Sequence, residues 1–351
     1  MKTLRVGVIG VGHLGQHHAR LLAAMPAVEL AGVVDIKPGR AAEIAAKYGA
    51  PAFLDARALL DRVDAVSVAV PTVAHVDVAV PFLERGIATL VEKPLAASLK
   101  EADRLIACAD KSGALLAAGH TERFNPAVAA ALPLVSRPRF VEVHRLGTFP
   151  ERSLDIDVIF DLMIHDLDLL IAAVGSEVES VEAVGVNVLT PRTDIANARL
   201  RFADGCIANV TASRISRDRV RKARFFQHDS YVSIDFAAQE VEVYRLAPRE
   251  GRPAIEGGRL EIASEEPLKR ELEDFVDAVR TRRAPMVSGH AGREALALAT
   301  RVAEAMRLTS EFGTGPSSDA RDALSQAEGP RSRLDVAVPR ASGTQRNAEE
   351  I

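Results

Sequence analysis

Cysteine is scarce in this sequence, with two in 351 residues. Cys108 and Cys206 stand far apart and lack the short spacing of a metal-binding pair. Neither a disulfide framework nor a thiolate zinc site is therefore expected, and both read as small buried residues of a reduced, cytoplasmic protein. No apolar run reaches the roughly 20 residues that a membrane-spanning helix needs. The apolar start after Lys2 and Arg5 breaks at His13, which argues against a signal peptide. Neither sign of charge dominates: 44 Lys and Arg against 48 Asp and Glu give a net charge of −4. That balance offers no global attraction for nucleic acid. No internal repeat is apparent. A hydrophobic fraction of 48% with 26% charged residues is ordinary for a soluble globular protein. The length suggests about two domains.

What is present begins at the N-terminus. Residues 4–9 are rich in Val and Ile, as a buried parallel strand is, and run into Gly10-Val11-Gly12-His13-Leu14-Gly15. Residues 16–25 then read as a helix. In that context Gly10 permits a tight turn, Gly12 lets a pyrophosphate approach the backbone, and Gly15 lets helix pack close to strand. The free N–H groups of the helix start favour the anion. A second hydrophobic strand, residues 28–34, ends at Asp35-Ile36, where a carboxylate can accept from the adenosine ribose hydroxyls. The chain is expected to bind a dinucleotide. A carboxylate at Asp35 repels a 2′-phosphate, which favours NAD over NADP, although Lys37 and Arg40 just beyond carry the opposite charge.

Strands and helices alternate onward: helices over 38–48, 57–61, 74–85 and 99–110, strands over 65–70, 89–91 and 114–119. This is an α/β pattern, a doubly wound parallel Rossmann sheet, whose ligands bind beyond the carboxyl ends of the strands. The glycine loop, Asp35, Pro71-Thr72 and Glu92-Lys93-Pro94 all fall at that edge, and His75 follows on the turn after Thr72. Past residue 120 the pattern changes to a helix over 125–134, a strand over 139–144, a helix over 156–174, then short alternating runs between 178 and 244. In one of them Ala198, Leu200 and Phe202 alternate with Asn197, Arg199 and Arg201, and Ala203-Asp204-Gly205 reads as a hairpin turn. A C-terminal α+β domain with a largely antiparallel open-faced sheet follows, closed by helices over 266–282 and 291–307. The division expected is 1–121 for the nucleotide, 122–312 for substrate and oligomerisation, and 313–351 as a mostly disordered tail or an arm docking on a partner subunit.

Lys93 at a strand end can reach the ribose and nicotinamide end of a cofactor and a substrate hydroxyl. In the helix of residues 156–174, regular spacing puts Asp161, His165 and Asp168 on one face of an otherwise apolar element. A carboxylate beside an imidazole suits a general base. One His with two carboxylates is no complete zinc set, so no metal is expected. Arg123, Phe124 and Asn125 sit at the domain junction and are expected to face the cleft. From Arg214 to Arg224 there are five Arg and one Lys, read either as a solvated hairpin or as an anion site for a phosphorylated substrate.

GVIGVGHLG, Asp35, Glu92-Lys93-Pro94 and Asp161-x-x-x-His165, taken in order, resemble the Gfo/Idh/MocA family over roughly residues 3–310. The resemblance implies oxidation or reduction of a secondary hydroxyl of a sugar or cyclitol with a nicotinamide cofactor. It implies that Lys93, Asp161 and His165 are catalytic, and that a homodimer or homotetramer forms through the open sheet face. Many members carry a Gly-Gly pair before the catalytic Asp, whereas this chain reads Ile156-Asp157-Val158-Ile159-Phe160. The segments GHTERFNPAV and DVIFDLMIHDLDLL look more like the branch acting on the 3-hydroxyl of UDP-N-acetylglucosamine, whose diphosphate the Arg214 stretch would meet. A free-sugar or cyclitol dehydrogenase and a non-catalytic NAD and sugar sensor are the other readings.

Overall fold

The computed structural model describes residues 3–149, 156–247 and 254–312, the side chains of 308–312 excepted. The expected tail, 313–351, lies outside them. The Val- and Ile-rich runs form a parallel sheet of order β3-β2-β1-β4-β5-β6. Its strands are β1 (Leu4–Ile9), β2 (Val28–Val34), β3 (Ala52–Phe53), β4 (Ala65–Val68), β5 (Ala88–Glu92) and β6 (Leu116–Gly119). The first strand is central, so the chain reverses direction between β1 and β4, where a crevice opens at the carboxyl edge. Helices α1 (Gly15–Ala24) and α2 (Pro38–Tyr48) cover one face; α3 (His75–Leu83) and α4 (Leu99–Ser112) cover the other.

After α5 (Pro126–Ala131) come β7 (Phe140–Leu146), α6 (Ile164–Val174), β8 (Val178–Val186), β9 (Ile195–Phe202), β10 (Ile207–Ser213), β11 (Val220–Phe226), β12 (Ser230–Asp235), β13 (Glu240–Ala247) and β14 (Ala254–Arg259). These eight strands order as β14-β13-β12-β11-β7-β10-β9-β8. All pairs are antiparallel except β7 with β10, which run parallel. The alternation read in β9 is the buried-exposed alternation seen, and Gly205 makes the hairpin turn with φ 88°.

Three features differ from the sequence reading. Residues 159–163 form a π-helical turn ahead of α6 rather than its regular start. The glycine-containing β14 was not expected, since Gly257 and Gly258 hide the strand pattern. The closing helices α7 (Pro267–Thr281) and α8 (Gly289–Phe312) do not belong to the second sheet alone. Leu272 and Phe275 of α7 pack under the first sheet beside α1, and α8 places Leu296 in one core and Leu298 and Val302 in the other. The chain therefore returns to its first sheet, and both sheets sit in one compact unit.

One face of the second sheet buries Val141, Val143, Phe202, Val210 and Phe225 against α5, α6 and α8. The other carries an aromatic row across four strands. Phe140 stacks on Phe226 (5.7 Å between centroids), Phe226 meets Tyr231 (5.2 Å), and Tyr231 stacks on Tyr244 (6.3 Å). Phe225 is fully buried, so Phe225→Ala is expected to cost about 3–5 kcal/mol of stability, measured by urea unfolding followed by far-ultraviolet circular dichroism.

Candidate active site

The glycine loop shapes the first half of the site. Gly10 has φ 81°, and a Cβ there would stand 2.7 Å from the Ala69 carbonyl oxygen. A Cβ on Gly15 would fall 1.8 Å from the Gly10 carbonyl oxygen, so helix and loop touch backbone to backbone. Gly12, in contrast, faces open space with nothing within 4 Å of a Cβ, which leaves its backbone free to meet a ligand. His13 and Leu14 are exposed beside it, whereas Val11 is buried. Asp35 ends β2 and is pinned by two backbone N–H groups, those of Val11 (3.1 Å) and Lys37 (2.9 Å). A cavity of about 780 Å³ opens here, walled by Gly10, Gly12, Asp35, Ile36, Pro71 and Val73. Its shape, open glycine backbone and fixed carboxylate fit a dinucleotide.

Arg40 reaches back to this loop. Its guanidinium donates to the carbonyls of Val11 (2.7 Å) and Gly12 (3.3 Å) and to Gln16 (2.9 Å), and pairs with Glu43 at 2.9 Å. Those commitments draw its charge toward the loop. His75 does not present a free nitrogen to the cavity: it is 1% exposed, and its ring nitrogens lie 3.0 Å from the Val70 carbonyl and 3.1 Å from that of Pro94. It ties the Thr72 turn to the loop after Lys93.

The second half of the site is assembled across the two sheets. Lys93, at the end of β5, donates from Nζ to the Asp161 carbonyl (2.6 Å) and carboxylate (3.1 Å). Glu92 is buried beneath it, with Oε2 accepting from the Lys93 N–H and Oε1 lying 3.1 Å from His18 Nε2. His18 Nδ1 sits 2.7 Å from Ser67 Oγ. Burial and the neighbouring Glu92 hold the Glu271 carboxyl, from α7, well above its ordinary range.

Asp161 therefore turns to Lys93 and not, as regular helical spacing suggested, to His165. The π turn is the cause: Ile164 N–H donates to the carbonyl of Ile159, a wider loop of chain than in an α-helix, and it rotates the faces apart. His165 lies in the same region with its Nδ1 buried and, among the described residues, no hydrogen-bond partner. Burial, then the charges of Lys93, Arg145, His120 and Arg221, hold its pKa well below the ordinary imidazole value. It is a neutral imidazole at neutral pH. Asp168, one turn on, faces His120 (4.0 Å) and Arg123 (3.7 Å).

The expected substrate contacts fare differently. Phe124 is buried in the core against the first sheet. Asn125 donates to Glu122 and to the Phe236 carbonyl and accepts from the Ala127 N–H, capping α5. Arg123 hydrogen-bonds the Asp168 carbonyl at 3.4 Å. Arg214 is 3% exposed; it donates to the carbonyls of Ile156 and Thr193 and lies 3.6 Å from Asp194. Phe124 thus packs in the core, and the polar groups of Asn125 and Arg214 are taken up by backbone groups and carboxylates rather than presented to a cleft. Lys222 and Arg224 pair with Asp235 and Glu142, while Arg217, Arg219 and Arg221 are exposed.

One group escaped the sequence reading. Arg145, opposite Arg221 in the register of β7 and β11, forms a buried two-toothed pair with Asp166 (2.7 and 2.8 Å) and a third contact with Glu122 (2.8 Å). Its strand alternates Val141, Val143, Arg145 inward, so only knowledge of the register marks it. His75, His120 and His165 are all held below the ordinary imidazole pKa, chiefly by burial. The unfolded chain then binds more protons at these rings below about pH 6.5, so their contribution to stability is expected to fall as pH drops through that value, by at most about 1.4 kcal/mol per His per pH unit, while the raised Glu271 carboxyl acts in the opposite direction. Denaturant midpoints at about pH 7 and about pH 5 in Glu271→Gln, which removes that opposing group, check it; equal midpoints would contradict it.

Comparison with known proteins gives the context of this geometry. Residues 4–120 match the oxidoreductase family with NAD-binding Rossmann fold, and residues 137–229 match the GFO/IDH/MocA C-terminal domain. The chain is 42% identical to UDP-N-acetylglucosamine 3-dehydrogenase of Acidithiobacillus ferrooxidans over 305 residues, 86% of this chain and 97% of that one. A solved structure of that enzyme superposes with a TM-score of 0.82, over 87% of this chain and 98% of that one. Inositol 2-dehydrogenase of Rhizobium meliloti is 28% identical over 85% of this chain and 95% of its own. Levoglucosan dehydrogenase in complex with NADH and levoglucosan shares the fold, with a TM-score of 0.80 at 20% identity, over 87% of this chain and 98% of that one. The cradle around Asp35, the lysine that follows Glu92 and the two matched regions make this chain a member of the Gfo/Idh/MocA family of NAD-binding oxidoreductases.

Proposed function

We propose that this chain oxidises a secondary hydroxyl of a nucleotide sugar, the 3-hydroxyl of UDP-N-acetylglucosamine or a close analogue, with NAD as acceptor. The observation that carries the reading is the meeting of Lys93 with Asp161 beside a neutral, half-buried His165. The relative of known activity in Acidithiobacillus ferrooxidans supports the choice of sugar.

The bound nicotinamide supplies the hydride acceptor. Residues 10–15 would hold the pyrophosphate and Asp35 the adenosine ribose, with Pro71 on the wall of the same cavity. His165, being neutral, takes the hydroxyl proton as the carbon becomes a carbonyl. The Lys93 ammonium, mostly buried, stabilises the developing negative oxygen, and Asp161 orients that ammonium. Arg221 stands on the same face of β11 as Ala223 and Phe225 but is exposed near the strand's start, and its charge acts on His165. It is suited to the sugar diphosphate, with Arg217 and Arg219 as further anion contacts.

A division near residue 121 separates the nucleotide-binding part from the substrate-binding part. The aromatic row of Phe140, Phe226, Tyr231 and Tyr244 supports a homodimer or homotetramer built on that sheet face. Two free cysteines accord with the cytoplasm.

Lys93→Met is expected to lower kcat with UDP-N-acetylglucosamine by about 10²–10⁴, with the Kd for NAD changed only a few-fold; retained turnover would remove Lys93 from the chemistry. Arg221→Ala should raise KM for the nucleotide sugar by roughly tenfold, and an unchanged KM would separate the diphosphate from this residue. Tyr244→Arg is expected to shift the oligomer toward monomer in light scattering; an unaltered mass would exclude this face.

A further inference from the structure

His165 poses a problem for a general base. Lys93, Arg145 and Arg221 oppose a positive charge on it, as His120 does only when itself protonated, and Arg145 is itself held by Asp166 and Glu122. A base so depressed is weak unless something behind it accepts a hydrogen bond from its far nitrogen. Behind it lies a group of buried polar atoms that no hydrogen bond satisfies among the described residues: His165 Nδ1, both ring nitrogens of His120, and Asp168 Oδ2. Buried polar atoms are almost always partnered, so a cluster of such atoms in one place marks a network that closes in the working enzyme.

The geometry orders these atoms. His120 follows β6 and is fully buried. Its ring meets that of His165 edge to face, with centroids 6.3 Å apart and planes at 81°. Its Nδ1 is the atom that faces Asp168, 4.0 Å from Oδ2. Asp168 stands three residues after His165 on α6, hence on the same face, and its other oxygen is turned to Arg123. The remaining charged neighbours of His120 are Lys93 and Glu92. Asp168 is thus the carboxylate placed to take a proton-bearing nitrogen of His120.

We propose that His120 is a positioning residue that fixes the tautomer of His165 through an Asp168–His120–His165 chain. Asp168 accepts from Nδ1–H of His120. The Nε2 lone pair of His120 accepts, directly after a small closing movement or through one water, from Nδ1–H of His165. His165 is left with a bare Nε2 toward the sugar hydroxyl. No bond breaks in this chain: the one proton that moves goes from the substrate hydroxyl to His165 Nε2. Because Nδ1–H of the resulting imidazolium is already hydrogen-bonded toward a carboxylate, the cation that Lys93, Arg145 and Arg221 oppose is partly offset. The inference deepens the base role assigned to His165 above and rests on that reading.

The test uses the full chain with ¹⁵N-labelled histidine, unmodified and as His120→Phe and His120→Gln. Phe keeps the packed ring but neither accepts nor donates; Gln can do both. Ring nitrogen shifts without substrate should show His165 as the Nδ1–H tautomer in the unmodified chain and as a mixture in His120→Phe. With NAD and UDP-N-acetylglucosamine, His120→Phe should lose at least about tenfold in kcat with KM nearly unchanged. Its acidic limb should move to lower pH, and His120→Gln should recover part of both. An unchanged tautomer and pH profile in His120→Phe, or equal losses in Phe and Gln, would overturn the proposal. The tautomer is read without substrate, so it decides the matter even where the sugar proves to be another.

Discussion

Charge buried at the seam between the two sheets is the constraint on which the arrangement of this molecule depends. Lys93 from β5 reaches Asp161 beyond the second half's first strand, Arg145 holds Asp166 and Glu122, and Arg123 lies against Asp168. Removing one member of such a pair leaves the other ionised in a poor solvent, at several kcal/mol. The pairs therefore fix where α6 sits against the end of the parallel sheet. The nucleotide edge and the polar end of the antiparallel sheet are brought face to face as a result.

That seam also sets the chemistry. The cations needed to hold an alkoxide-like oxygen are the ones that strip His165 of its proton, since burial and Lys93, Arg145 and Arg221 act in the same direction. A neutral His165 imidazole close to Lys93 fits the proposed division between a proton acceptor and a group that holds the oxygen. At the other end of the cleft, Asp35 faces the cavity while Arg40 is engaged by the loop carbonyls and by Glu43. Arg40 still lines the cavity, but its charge is shared with those partners, so the fixed carboxylate of Asp35 is the group that suits a free ribose hydroxyl better than a phosphate.

Much of the first sheet was legible because its signals are local. The run from Leu4 to Ile9, the glycines, Asp35 and the helix opened by Pro38 each declare themselves within a few residues, and the strands fall where those signals place them. The second half was legible as alternation but not as order, because pairing β7 parallel to β10 is a long-range choice. The candidate site was half visible. Lys93 and His165 follow from strand ends and helix spacing, but Asp161's partner was misread, since a π turn carries no clear sequence mark. Arg214 looked like part of a basic patch, and only the packing reveals it bound to Asp194 and two carbonyls. Arg145 stayed silent because one inward arginine in an alternating strand looks like any other until its facing carboxylates are known.

The proposed reaction is NAD-dependent oxidation, at the Lys93–Asp161–His165 seam, of a sugar hydroxyl carried on a nucleotide diphosphate. The most direct measurement is the initial rate of NADH formation by the purified chain with NAD and, in turn, UDP-N-acetylglucosamine, N-acetylglucosamine, glucose and myo-inositol. NADH is expected to form with the UDP-sugar and at least about a hundredfold more slowly with the others. Equal or faster turnover of a free sugar or cyclitol would contradict it.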